Sequence, residues 1–172
     1  MKEFDFELIF KLPTTTDDPS SYIDALFQSG CDDATLSTGK LGMISLSFSR
    51  EAQNAAKAVQ SAIRDVQQAI PNSSLVEATP DIVSITDISS ILGHSRQYTR
   101  KLFDTNSASS IPSPIHVGSP SIWHLNEVLG WLKGMGKSGN NINETLFEIS
   151  AITREVNLKR QLEASGLMKA AV

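Results

Sequence analysis

The chain has 172 residues, 40% hydrophobic and 20% charged, and its 15 Lys and Arg against 19 Asp and Glu leave a formal net charge of -4. That length suits one domain of ~150 residues or two compact ones, and a single cysteine, Cys31, excludes an internal disulfide framework and a Cys-rich zinc site. The apolar runs fall short of the ~18 residues that span a bilayer, and the MKEFDFELIF start carries acids where a signal-peptide core would lie. The expectation is a soluble, cytoplasmic protein with no membrane partner. An acidic balance taken alone argues against general nucleic-acid binding, but the charge is unevenly placed. Residues 1–80 hold six bases and eleven acids, residues 81–135 four and four, and residues 136–172 five and four. Three of the four bases in the middle segment, Arg96, Arg100 and Lys101, fall within six residues.

Residues 3–12 alternate strictly, with Phe4, Phe6, Leu8, Phe10 and Leu12 on one side, which predicts a half-buried strand. A short helix follows near 18–29, with Tyr22, Ile23, Leu26 and Phe27 on one face and Gly30 as its stop. Two strands, 33–38 and 42–49, are joined by the hairpin signal Thr38-Gly39-Lys40. Ser49 is read as the cap of a helix over 50–70, with an apolar stripe of Ala52, Ala56, Val59, Ile63, Val66 and Ile70. Residues 74–78 are a last edge strand. The order β-α-β-β-α-β predicts an α+β fold whose residues 1–80 form a ferredoxin-like association domain. This half has no histidine, no metal-ligand spacing and no catalytic set. Cys31-Asp32-Asp33 reads as a turn, since two carboxylates disfavour a thiolate.

Residues 81–135 form the second predicted domain. Thr86 and Asp87 open a helix with Ile88, Ile91 and Leu92 on its buried face, and Gly93 ends it. After the turn Gly93-His94, Ser95 caps a second helix, S-R-Q-Y-T-R-K-L-F, giving a helix-turn-helix pattern. Leu102 and Phe103 must face the core, with Thr99 or Tyr98 one turn earlier. Arg96, Gln97, Arg100 and Lys101 then form one outward stripe of long hydrogen-bond donors. Arg can bind guanine O6 and N7 bidentately, and Gln can do the same at adenine N6 and N7.

Further on, Ile111-Pro112, Pro114-Ile115, Gly118, Trp123, Glu127-Val128 and Trp131-Leu132 occur in order. Together with T-D-I-S-S-I-L-G-H-S-R-Q, this pattern resembles the winged helix-turn-helix of the AlpA-like and excisionase-like phage regulators, relatives of the MerR-type DNA-binding domain. The likeness covers about 50 of the 172 residues. It implies a double-stranded DNA partner, a two-stranded wing at 114–117 and 120–124, Trp123 packed beneath that wing, and a helix Leu125–Leu132 closing the core. It also implies that His116, Ser119 and Ser121 touch phosphate or groove. The wing departs from the family in having no Arg or Lys, and Ile111 stands where a Phe is usual, so wing contacts are expected to be weak.

The base-reading candidates are Arg96, Gln97 and Arg100; Lys101, Tyr98 and the Ser95 end of the helix are the phosphate candidates. His94 and His124 read as structural or solvent-facing, and the three histidines lack metal spacing. No cofactor, metal or catalytic residue is expected. Residues 133–141 are a glycine-rich linker. Asn143 caps a helix to about 164 whose stripe is Ile142, Leu146, Ile149, Ile152 and Val156. That helix either packs back on its own domain or pairs with a second copy. The functional expectation is a sequence-specific transcriptional regulator or excision factor, binding as a homo-oligomer. The alternative is a protein-interaction adaptor or antitoxin-like subunit acting through the N-terminal domain.

Overall fold

The computed structural model describes residues 1–105, 111–136 and 142–166. The protein is a mixed α+β structure built around an antiparallel sheet. Strand β1 (Lys2–Lys11) pairs with β3 (Met43–Ala52) along its full length, from Lys2 opposite Ala52 to Lys11 opposite Met43. The short β2 (Ala34–Ser37) adds to the far side of β3, and β4 (Ser74–Thr79) adds to β1, so the order is β2-β3-β1-β4. Phe4, Phe6, Leu8 and Phe10 are buried on one face with Ile44, Leu46 and Phe48. The strict alternation of β1 leaves Glu3 and Asp5 on the open face.

Two helices from the same half of the chain cover part of the buried face. A 3-10 turn, Pro19–Tyr22, leads into α1 (Ile23–Gln28), so the helix expected near 18–29 is shorter than its pattern. Asp18 caps the turn through the Ser20 N–H, and Pro19 sits at the first position. Helix α2 (Ala55–Ala69) has its cap at Asn54, five residues later than the cap expected at Ser49. The reason is the β1 ladder: β3 continues to Ala52, and Asn54 caps the helix through the Lys57 N–H at 2.9 Å. The buried face of α2 turns accordingly to Ala55, Ala58, Val59, Ala62 and Val66. Small residues let the helix lie close to the sheet and push Ile63 to its flank. Gly42, at φ +73°, fits where a Cβ would stand 2.7 Å from Thr15 Cα.

Arg50 projects into this layer from β3 and is 7% exposed. Its guanidinium bonds both carboxylate oxygens of Asp33 (2.7 and 2.9 Å), Asp65 (2.7 Å), and the Gly30 carbonyl (2.6 Å). Burial alone would lower its pKa, but the Asp33 and Asp65 hydrogen bonds outweigh that and raise it. The network pins the 30–33 turn to α2. Burial in the same turn pushes the Cys31 thiol up, so it stays protonated at neutral pH.

The remaining elements gather round a second apolar cluster. Strand β5 (Ile82–Ser84) pairs with β6 (Ile122–His124), a two-stranded ladder that the sequence pattern does not suggest. Helices α3 (Ile85–Leu92), α4 (Arg96–Thr105) and α5 (Leu125–Gly134) supply Ile88, Leu92, Leu102, Phe103, Val128, Leu129 and Leu132 to that core.

The C-terminal helix α6 (Glu144–Ser165) is capped by Asn143, which accepts from the Leu146 N–H at 2.7 Å. It packs back on its own chain and crosses both clusters. Ile149, Ile152 and Val156 join the sheet core, Phe147 joins the second core, and Leu146 touches both. Its most buried positions also include Ser150, Thr153 and Asn157, so a polar seam runs beside the expected aliphatic stripe. Lys2 bonds Glu148 (2.6 Å) and pairs with Glu144 (3.0 Å), and Arg154 bonds Glu127 of α5 (2.7 Å). No described helix is long and apolar enough to cross a membrane.

The seam converges on Asn157, which is 2% exposed. Its carboxamide accepts from the Ala78 N–H and donates to the Ala78 carbonyl, both at 2.8 Å, and donates to Asp81 Oδ2 at 2.8 Å. It therefore pairs both backbone groups of Ala78 on the outer edge of β4, as a further strand would at that residue. Asp81 is 1% exposed; its Oδ1 lies 2.7 Å from His124 Nδ1, and its carbonyl accepts the Leu125 N–H at 2.7 Å. Thr153 donates to the Pro80 carbonyl at 2.6 Å. Removing the amide strands the Ala78 backbone and one Asp81 oxygen in the interior. Asn157→Ala is expected to cost about 3 kcal/mol in denaturant unfolding. A loss below about 0.5 kcal/mol, the range of ordinary surface substitutions, would show that the seam contributes nothing.

Candidate nucleic-acid interface

Helix α3 begins with a capping box. Ser84 Oγ accepts from the Asp87 N–H, and the Asp87 carboxylate accepts from the Ser84 N–H at 2.8 Å. Hydrogen bonds from the Ser84 hydroxyl and then its N–H hold Asp87 below the usual carboxylate range. Gly93 ends the helix at φ 67°, and its neighbour His94 donates its N–H to the Ser89 carbonyl at 2.9 Å. Two residues later α4 begins, with Ser95 Oγ accepting the Tyr98 N–H at 3.2 Å. The turn is thus fixed by a left-handed glycine on one side and a hydroxyl cap on the other.

One face of α4 is buried through Thr99 (0% exposed), Leu102 and Phe103. Thr99, not Tyr98, is the inward residue; its hydroxyl donates to the Ser95 carbonyl at 3.3 Å. Phe103 meets the rings of Trp123 and Trp131 edge-on, at 5.2 and 5.0 Å between centroids. This packing fixes the rotation of the helix. Ser95, Arg96, Gln97, Tyr98, Arg100 and Lys101 are all exposed as a consequence. Lys133, the fourth base of the middle segment, lies 5.5 Å over the Phe147 ring instead.

The structure brings some of the site residues together and separates others. Arg96, Arg100, Ser119 and Ser121 line one cleft of about 380 Å³ between the start of α3, α4 and the 118–121 loop. Gln97, Tyr98, Lys101 and His116 lie outside it. Tyr98 rests edge-on against His94, with ring centroids 4.8 Å apart. His116 lies against Gly118, where an added Cβ would stand 2.3 Å from His116 Nε2. Ser121 donates to the Gly118 carbonyl at 3.2 Å. Thr86 also lines the cleft, although the sequence pattern marks it only as the opening of the first helix.

The loop itself differs from the expected two-stranded wing. Strand β6 spends its ladder on β5, and the 114–117 arm meets it only at the bridge between His116 and Ile122. The Ile115 N–H donates to the Ile122 carbonyl at 2.9 Å. Pro112 and Pro114 lack the N–H groups that would extend the pairing. Trp123 Nε1 donates to the Pro112 carbonyl at 3.1 Å and anchors the arm. Val117 stands 81% exposed at the loop tip. The serine-rich residues 106–110 and the linker residues 137–141 lie outside the described residues.

His124 is buried against Asp81 rather than facing solvent. Among the described residues, no group of three His, Cys, Asp or Glu side chains could hold a metal ion. No family model, curated protein or solved structure matches the chain.

The capping box makes α3 acid-sensitive. A carboxylate depressed below its ordinary value of 3.8 adds stability above that pH and loses it as the pH falls through the depressed value. Asp87→Asn is expected to weaken the helix by about 1 kcal/mol at pH 7. The difference from the parent protein should shrink as the pH falls below 3.8. A deficit that is the same at about pH 7 and about pH 2.5, read by urea unfolding, would contradict the assignment.

Proposed function

We propose that the protein is a sequence-specific double-stranded DNA-binding regulator, a repressor, activator or excisionase-like accessory factor. In this reading residues 81–135 act as a winged helix-turn-helix and residues 1–80 as a ferredoxin-like association domain. The β-α-β-β-α-β order with sheet order β4-β1-β3-β2 supports the latter. One observation carries the function. The buried triplet Thr99, Leu102 and Phe103 turns Arg96, Gln97, Arg100 and Lys101 outward, with no acid on the helix before Asp104.

Helix α4 enters the major groove with its N-terminal end, where side chains reach base edges. Arg96 and Arg100 pair with guanines and Gln97 with adenine. Lys101, Tyr98 and the first-turn N–H groups hold phosphate, and the Ser95 hydroxyl keeps its own proton to donate after accepting the Tyr98 N–H. His116, Ser119 and Ser121 follow the backbone beside the groove. Three bases per copy give weak binding, so two or more copies engage half-sites spaced roughly 10 base pairs apart. The charge deficit of the N-terminal half then suppresses indiscriminate backbone binding.

The open sheet face, with Glu3, Asp5 and Glu51 exposed, favours a second reading. There the protein is an adaptor or antitoxin-like subunit that offers an acidic surface to a basic protein. The slope of log affinity against log salt on random DNA separates the two. A regulator gives about -3 per copy from its three bases, and an adaptor gives about zero.

On a fragment selected from genomic DNA, Arg96→Ala and Arg100→Ala are each expected to cost ~1–3 kcal/mol by gel shift. Unchanged binding for both would refute the major-groove assignment.

A further inference from the structure

We propose that the groove between α2 and α6 binds a small zwitterion, a free α-amino acid with an apolar side chain. The groove is a cavity of about 530 Å³ at the start of β4, floored by Ile63, Leu75 and Val156. That volume falls within the ~300–1,000 Å³ typical of small-molecule sites. Ile63 reaches it because the buried face of α2 is made largely of alanines, which leaves the larger residue on the flank.

Among the described residues, two buried side-chain polar atoms have no hydrogen-bond partner, Ser73 Oγ and Arg160 Nε. Both residues belong to the wall of this one cavity. Buried polar groups in folded proteins are nearly all paired, so two orphans in one wall point to an absent partner. Guanidinium nitrogens only donate, and their fork matches a carboxylate. Ser73 is 9% exposed, so a ligand engages it by turning its side chain. Arg160 is drawn electrostatically toward Glu77, whose carboxyl is pushed above its usual range by burial and by Asp81.

The rest of the wall selects against ligands of one sign. Glu155 and Glu163 stand on the same helix face as Lys159 and Arg160. A dianion meets the two glutamates, and a polyamine meets the two bases. A zwitterion places its carboxylate at Arg160, its ammonium at a glutamate, and its side chain on the aliphatic floor.

The full chain, labelled with nitrogen-15, is titrated with leucine, valine, methionine and phenylalanine. Saturable shifts confined to amides around Ile63, Ser73–Leu75 and Val156–Arg160 are expected for at least one, with a Kd at or below about 1 mM. Leucinamide and 4-methylpentanoate, each lacking one charge, should bind at least about tenfold more weakly than leucine. Arg160→Gln, which deletes the unpaired Nε donor, and Ile63→Trp, which fills the groove, should both abolish saturation. Absence of saturation by all four amino acids overturns the proposal. So does equal binding of 4-methylpentanoate, or binding that survives both substitutions. None of these readouts involves DNA, so the outcome is independent of the regulator reading.

Discussion

The carboxylate of Asp81 is the point on which the arrangement turns. It is almost fully buried, and a buried charge is tolerated only where hydrogen bonds replace its lost hydration. Here the replacements come from two different places in the chain. Asn157 arrives from α6 and His124 from the strand that leads into α5. The same asparagine pairs with Ala78 on the outer edge of β4, and the Asp81 carbonyl starts α5. One carboxylate therefore ties the sheet, the C-terminal helix and the α3–α4–α5 cluster together.

Helix α6 performs a second job along its length. Its first turns seal both apolar clusters, and Arg154 and Lys2 pin it to α5 and β1 by ion pairs. Those pairs are partly exposed and contribute little each. The aliphatic contacts and the Asn157 seam carry more. A helix that bridges two cores does not leave its full hydrophobic stripe free for a second copy. In the proposed regulator, association therefore falls to the sheet domain or to the exposed end of α6, where Leu158 and Leu162 are about half exposed.

Much of this was legible in the sequence, for reasons that differ by element. The period-two run of β1 and the stop signals at Gly30 and Gly93 depend on local chemistry, so they appear where expected. The stripe of Arg96, Gln97, Arg100 and Lys101 was legible because Leu102 and Phe103 set the phase of the helix. What failed was non-local. Residues 50–52 read as helix because nothing nearby announced that β1 would extend the ladder to Ala52. Strand β5 has three residues and no period of its own; it exists through its pairing with β6. That pairing is also what reduces the expected wing to a bridged loop. The polar residues Ser150, Thr153 and Asn157 lie outside the aliphatic stripe that the sequence marks, yet they are buried, and Asn157 pairs with the backbone of Ala78 in β4.

In the proposed regulator, α4 reads base edges in the major groove. Methylation interference on a fragment selected by the purified protein tests this most directly. Methyl groups at guanine N7 project into the major groove, and those at adenine N3 into the minor groove. N7 methylation at one or two guanines in each half-site is expected to abolish binding, while N3 methylation at neighbouring adenines is tolerated. Binding indifferent to N7 methylation at every guanine, with affinity set only by fragment length and salt, would contradict this reading.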